Sequence, residues 1–585
     1  MRGRPWLWLA LACHLLWASI AAVVTPAFEG PDENDHYYYA HLLAHRGLAT
    51  LPIVHGSGAL GDESPWRQAT LGHHPPLYYW LLAGALHAAD AADTVPSWSD
   101  TGLAPDDRHK WRHGADEIAP VSAEIRVLYW LRSISIVCGA VALVLAHRLG
   151  RVLFPSRPGI ADLGTLCLAC LPQWGFVHGV LDNGNLATAL SFAALLWVAQ
   201  GRIGVGLGLI VGGALLTKLT SVFLVPLVGI ACVAQWFAAR EAGERRAIAR
   251  RAVHFAVVVL VVAGWFFARN VALYGELLAT DVHRAAFASN LVPDAVRGEY
   301  LRERFVPETW RSFVGHFGWG RVAVPPVVTI GAAVAVALAF VGWCLAARRL
   351  FGVGLVERRL PTALAGIAIG LVVAALVQFN RTFFQPQGRY LFPAAAPMLL
   401  FFAAGLVGLR ERLLGERAPT LRRALAIGAP IVSSFAVCAF VFVPGLGLRG
   451  APTAVGPQAS RHASLHAGVA TEPAAERVTV ELREPADGAR LREAPTFVWD
   501  ATRAGGEGPF TVHAYLRDGR ILFGTFESAG IAIDGDRWTL PAGHWAMLPA
   551  DTEILWKVRR IPDRARGEST REMHGSRSFR LTRVE

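Results

Sequence analysis

Trp6-Leu7-Trp8-Leu9-Ala10-Leu11-Ala12-Cys13-His14-Leu15-Leu16-Trp17-Ala18-Ser19-Ile20-Ala21-Ala22-Val23-Val24 runs without a charged residue behind Arg2 and Arg4, and the charges that follow are packed into Pro31-Asp32-Glu33-Asn34-Asp35-His36-Tyr37-Tyr38-Tyr39. A helix needs about 20 apolar residues to cross the hydrocarbon core of a bilayer, and 6–24 meets that length. Thr25-Pro26-Ala27 is a poor small-residue cleavage site, so the run reads as a retained first span rather than a signal peptide. Further apolar blocks lie at 127–147, 160–179, 185–200, 203–217, 219–237, 252–269, 325–346, 361–379, 390–408 and 425–444. Their internal Gly and Pro residues are acceptable in membrane helices. The expected architecture is a polytopic α-helical membrane protein with about eleven spanning helices.

Composition and charge agree. Of 585 residues, 53% are hydrophobic and 17% charged, against about 25% charged in ordinary soluble domains. With a cytoplasmic N-terminus, the alternate short loops inside carry Arg148, Arg151 and Arg157; Arg202; Arg240, Arg245, Arg246, Arg250 and Arg251; Arg348, Arg349, Arg358 and Arg359; and Arg410, Arg412, Arg417, Arg422 and Arg423, as the positive-inside rule requires. The net charge of +11 is then topogenic arginine facing acidic lipid, with no nucleic-acid partner implied.

The same count places three segments outside: the long first loop 25–126 with its interfacial helices, the loop from Asn270 to about Val324, and everything beyond the last span. The membrane region is expected over 1–445, a Gly/Ala/Pro/Ser-rich linker over 446–475, and a β domain over 476–585. In that last part the periodicity changes to two in Val478–Leu482, Thr496–Trp499, Phe510–Leu516, Ile521–Phe526, Ile554–Arg559 and Ser578–Leu581, with Asp487-Gly488, Asp518-Gly519 and Asp534-Gly535 as turns. About six or seven short strands make an all-β sandwich. Pro485, Asp487-Gly488, Phe497-x-Trp499 and Trp556-Lys557-Val558 resemble fibronectin type III-like modules, a spacer or docking unit without a catalytic constellation. All seven cysteines fall in the expected spans, so no disulfide framework is expected.

The chemistry concentrates on the outer side. Three carboxylates and an imidazole within 32–36 are costly to desolvate without a purpose, although Asp32 or Asp35 also suits a helix N-cap. His73-His74-Pro75-Pro76-Leu77-Tyr78-Tyr79-Trp80 is a rigid turn feeding an aromatic interfacial helix. Lys218, Arg269 and Arg389 stand at outer ends of spans, where each is either a phosphate ligand or a snorkelling anchor.

In order along the chain, Pro31-Asp32-Glu33 with His36, His74-Pro75-Pro76-Leu77-Tyr78-Tyr79, Leu216-Thr217-Lys218, Arg269-Asn270 with Leu273-Tyr274-Gly275, Phe317-Gly318-Trp319 and Gln387-Gly388-Arg389-Tyr390-Leu391-Phe392-Pro393 resemble the GT-C superfamily of membrane glycosyltransferases. Within it the chain is most similar to bacterial relatives of protein O-mannosyltransferases and lipid A aminoarabinose transferases. The resemblance covers about residues 5 to 410. It implies transfer of a sugar from a polyprenyl-phosphate donor, drawn from the bilayer, to a glycan, lipid or protein acceptor on the outer face of a bacterial cytoplasmic membrane. It maps the catalytic acid of the first outer loop onto Asp32, with Glu33 second, and makes His36, His74, Tyr78, Lys218, Arg269, Arg389 and Tyr390 candidate substrate-binding residues. Relatives often carry an Asn-Asn-Asp-Asn-like run where this chain reads Asp182-Asn183-Gly184-Asn185, so the resemblance does not carry a second-carboxylate role onto Asp182.

No cofactor is expected. A magnesium or manganese ion on Asp32, Glu33 and Asp35 is compatible with hard-cation chemistry, and His41 and His45 have zinc-compatible spacing without a third ligand fixed by the pattern. The alternative from another class is a non-catalytic protein of the same fold that binds or transports lipid or glycan. Neither internal repeats nor midplane charges of the transporter type are evident.

Overall fold

The computed structural model describes residues 5–53, 71–92, 113, 117, 121–287, 290–292, 294–351, 356–414, 420–447, 481–500, 510–516, 521–524, 533, 535–540, 545, 553–560 and 577–581. The expected linker falls mostly outside these residues, as does the greater part of the first loop after Ile53.

Among the described residues, seven helices are long and apolar enough to cross a membrane: Pro5–Val24, Ala123–Leu153, Leu219–Ala238, Ala242–Tyr274, Pro326–Leu345, Leu360–Asn380 and Gly388–Leu413. Four shorter apolar helices, Pro158–Ala169, Asn183–Ala199, Val205–Leu215 and Pro430–Leu446, occupy the other expected blocks. The shortening has local causes. Block 160–179 breaks where Pro172 follows an extended Leu171 (φ −69°, ψ 117°) and begins the separate turn Pro172–Val177, because proline disfavours a helical residue before it. Block 203–217 ends at Leu215, and the extended Lys218 (φ −156°, ψ 131°) leads into the 3-10 turn Leu219–Phe223.

Small residues let the helices approach. A Cβ on Gly342 would lie 2.0 Å from the Gly405 carbonyl, and one on Gly405 would lie 2.1 Å from that of Ala339, so Pro326–Phe351 and Ala395–Leu414 meet backbone to backbone, as small-residue membrane interfaces do. Trp17, Trp174, Phe176, Phe317 and Phe442 belong to the core on which these helices pack.

The long loop after the first span contributes Glu33–Arg46 and Leu77–Ala88, bound to each other by the Tyr39 and Tyr79 rings, stacked at 3.9 Å. Arg132 joins this pair to the membrane helices. Its guanidinium donates to Glu33 at 2.8 and 2.6 Å and to the carbonyls of Ala22, Thr25 and Pro26 at 2.6, 2.7 and 3.0 Å. Charge and hydrogen bonds are satisfied together, which is the condition for burying an ion pair.

The C-terminal part is a β structure of two sheets. One has three strands in the order 481–484, 496–500, 537–539, and the other five in the order 489–491, 577–581, 553–560, 510–516, 521–524. Phe497, Trp499, Val512, Trp556 and Val558 form their shared core, with Phe497 4.9 Å from Trp556. The two strands beyond the six expected runs, Ala489–Leu491 and Arg537–Thr539, have three residues each. That is too short for alternation to register.

Candidate active site

Asp32 stands just before Glu33–Arg46 in the left-handed backbone region (φ 63°, ψ 9°), and its side chain makes no cap bond to the helix. The bland capping role is therefore not the one it performs. A non-glycine residue in this region carries local strain that the surroundings must hold. Here the holding is done next door by Glu33. That carboxylate is fully buried, is gripped by Arg132, and accepts from the Leu181 N–H at 3.0 Å. Glu33, expected as a second catalytic acid, is sealed in this bridge. Asp32 is turned the other way, with its side chain 29% exposed.

Arg389 meets it. Its Nη2 donates to Asp32 Oδ2 at 2.5 Å, its Nη1 to Asp182 Oδ2 at 2.7 Å and to the Pro31 carbonyl at 3.1 Å, and its Nε to Gln387 Oε1 at 2.6 Å. Asp182 caps Asn183–Ala199 through Gly184 N–H to Oδ1 at 2.6 Å, and the same oxygen accepts from Lys218 Nζ at 3.1 Å. Tyr390 lies 5.7 Å from the Lys218 ammonium and 5.6 Å from the Arg389 guanidinium, within cation–π range. The centre thus alternates charge, Asp32–Arg389–Asp182–Lys218, with formal charges in balance.

Burial alone would raise the Asp32 carboxyl, but Arg389 and His36 outweigh it and hold Asp32 below the usual carboxylate range. Burial opposes the charge on Asp182 too, and Lys218, Arg389, His36 and the Gly184 N–H outweigh it by more, so Asp182 lies far below that range. Both are anions at neutral pH. His36 is pushed down to about 4, chiefly by burial. Its Nδ1 is 3.1 Å from the Tyr79 hydroxyl, to which Asn183 Nδ2 also donates at 3.3 Å.

Of the residues expected from sequence, the structure gathers Asp32, His36, Lys218, Arg389 and Tyr390. His74 lies one layer out, near enough to His36 and Lys218 to feel their charges. Tyr78 turns to Ser135 Oγ at 3.3 Å. Arg269 bonds the carbonyls of Leu51 and Pro52 at 3.4 and 2.8 Å, tying a loop rather than joining the centre. Asp182, to which the sequence assigned no role, is at its heart. Arg132 escaped notice, although a lone arginine inside the apolar block 127–147 is itself a signal, since a charge in such a block must find a partner. Of the three carboxylates named for a hard cation, Glu33 is engaged by Arg132 and Asp32 by Arg389, while Asp35 accepts from Asn34 Nδ2 at 3.3 Å.

Neither a family model nor a curated protein matches this chain. Solved structures do. The chain is similar to ArnT from Cupriavidus metallidurans bound to undecaprenyl phosphate, with 16% identity and a TM-score of 0.43, over 75% of this chain and 65% of that one. It is also similar to the Archaeoglobus fulgidus oligosaccharyltransferase in complex with Zn and sulfate, with 16% identity and a TM-score of 0.40, over 75% of this chain and 54% of that one. The chain thus spans less than two thirds of the length of either.

Proposed function

We propose that this protein is a glycosyltransferase that moves a sugar from a polyprenyl-phosphate donor to an envelope acceptor at the outer face of a bacterial cytoplasmic membrane, its N-terminus inside. The observation that carries the reading is Arg389 held between Asp32 and Asp182, with Lys218 alongside. The reaction breaks the bond from the anomeric carbon to phosphate oxygen, whose electron pair leaves with the lipid phosphate. It forms a bond from that carbon to the acceptor, whose proton must go to a base. Arg389 and Lys218 are cations suited to the departing phosphate. Asp32 is the partly exposed anion suited to the proton.

The pairing supplies a logic for the base. A carboxylate neutralised by arginine is a weak proton acceptor. A donor phosphate that takes over Arg389 removes that neutralisation and raises the basicity of Asp32, so the base is strengthened only when donor is present. An apolar groove of about 1940 Å³ is lined by Leu391, two residues on from Arg389, and by Phe313, Trp310, Val328, Ala335 and Phe402 among others. It is larger than the roughly 300–1,000 Å³ of small-molecule sites, and its volume and apolar lining suit a long hydrocarbon chain.

The test is to incubate purified protein with polyprenyl-phosphate-linked sugars and membrane acceptors and to measure release of polyprenyl phosphate. Wild type should release it, and Asp32→Asn should bind the donor without releasing product. Equal turnover by both proteins removes Asp32 from the role of base, and no turnover with any donor overturns the reading.

A further inference from the structure

His73 and His74 come from the turn before Pro75-Pro76, and His283 from the short helix Thr280–Ala286 more than two hundred residues later. Each offers one ring nitrogen, and the three nitrogens lie within 4.8 Å of one another. His73 Nε2 and His283 Nδ1 are 2.9 Å apart. We propose that His73, His74 and His283 form a zinc(II) site with an open fourth position, beside the Asp32–Arg389 centre.

The geometry is close to what the ion requires. Zinc–nitrogen bonds of about 2.0–2.1 Å in a tetrahedron put ligand nitrogens about 3.3 Å apart, against 2.9 Å for the His73–His283 pair and a span within 4.8 Å for all three. In the His73–His283 hydrogen bond one ring donates an N–H. To ligate, that ring moves its proton to its other nitrogen, with no net proton lost.

The surroundings are those of a built site. The Pro75-Pro76 turn, the His74 N–H bond to the Leu71 carbonyl at 2.8 Å and the Tyr39 hydroxyl bond to the His74 carbonyl at 3.2 Å fix the first two rings. Phe287 and Phe383 wall the third, with centroids 4.6 and 5.0 Å from His283. An apolar shell of this kind limits solvent access to a metal. Three imidazoles without a carboxylate favour zinc, copper or nickel over magnesium or manganese. Asp32 is near enough to act on His283 electrostatically, and it offsets part of the charge a dication would bring. Three protein ligands and one vacant position are the pattern of zinc sites that polarise a bound oxygen, here that of water or of a substrate.

The test reads bound metal, so it stands apart from the transferase reading and either can fail alone. Full-length protein without a histidine tag is washed with chelator, dialysed against zinc chloride or cobalt chloride alone, and its metal counted. One ion per chain is expected, with the visible bands of tetrahedral cobalt(II) and no thiolate charge-transfer band. His73→Gln and His283→Gln should each weaken binding by more than about tenfold, while His45→Gln leaves it unchanged. Substoichiometric binding by folded wild type, a thiolate band, or undiminished binding by His283→Gln overturns the site. If both variants misfold, the cobalt spectrum of wild type decides.

Discussion

Arg389 and Asp32 stand 357 positions apart in the chain and 2.5 Å apart in space, Nη2 to Oδ2. The same guanidinium reaches Asp182 with Nη1, so its planar fork sets the distance between two carboxylates. Lysine offers a point charge and cannot do this. Arg389→Lys should therefore fold and yet lower sugar transfer by at least about a hundredfold, the scale of losing one preorganised donor to a developing anion. Single-turnover assays with equal amounts of melting-checked protein measure it, and transfer within twofold of wild type would refute the bridge as functional.

Gly184 separates stability from activity. A Cβ there would lie 2.8 Å from Asp182 Oδ1 and 3.2 Å from Lys218 Nζ, displacing the charges around Arg389. Alanine is nevertheless better than glycine within a helix by about 1 kcal/mol. Gly184→Ala should keep or raise the melting temperature while transfer falls about ten- to a hundredfold. Gly388→Ala behaves otherwise: its Cβ would come 2.3 Å from the Phe313 backbone, which cannot give way as a side chain can, so that variant should lose stability as well.

Glu33 and Arg132 form a buried pair with both side chains at 0% exposure. Removing one partner leaves an uncompensated charge, at a cost of about 3–5 kcal/mol. Glu33→Gln and Arg132→Met should each melt well below wild type, whereas the double variant Glu33→Leu/Arg132→Met should recover a substantial part of the loss. Additive losses in the double variant would show that the two residues do not act as a pair.

His113 supplies a pH dependence of stability. Its Nδ1 is 2.8 Å from Glu117 and its Nε2 3.1 Å from Glu29, while Glu117 Oε2 accepts from the Ala27 N–H at 2.7 Å. Burial opposes its charge, but the two carboxylates prevail and raise it from 6.5 to about 9. A raised folded-state value means stabilisation that is complete below about pH 6.5 and lost as pH climbs through about 9, worth at most about 3 kcal/mol. Melting temperature should fall over that window in wild type, and His113→Gln should flatten the slope.

Much of the architecture was legible because the signal is local. The seven long helices and four short ones sit in the eleven apolar blocks, and six of eight C-terminal strands coincide with runs of period-two alternation. Misses came where a local rule was interrupted, at Leu171-Pro172 and at Lys218, or where an element was three residues long. The candidate site was legible in pieces: Asp32 and Arg389 each stood in a recognisable motif. Asp182 did not, because displacement by two residues concealed a helix cap that aims its carboxylate at Arg389.

By itself the sequence determined which segments belong in hydrocarbon, that a β domain follows them, and that the acidic first loop and the Arg389 segment are the chemically expensive parts. Solvation does this residue by residue: each apolar block lowers its free energy in lipid whatever its neighbours are. Only the tertiary structure decided which carboxylate is sealed and which is exposed, that Asp32 faces Arg389 while Glu33 faces Arg132, and that His283 arrives beside His73. Charge pairing and ligand geometry fall off within a few ångströms, and contacts between residues hundreds of positions apart exist only once the helices have packed.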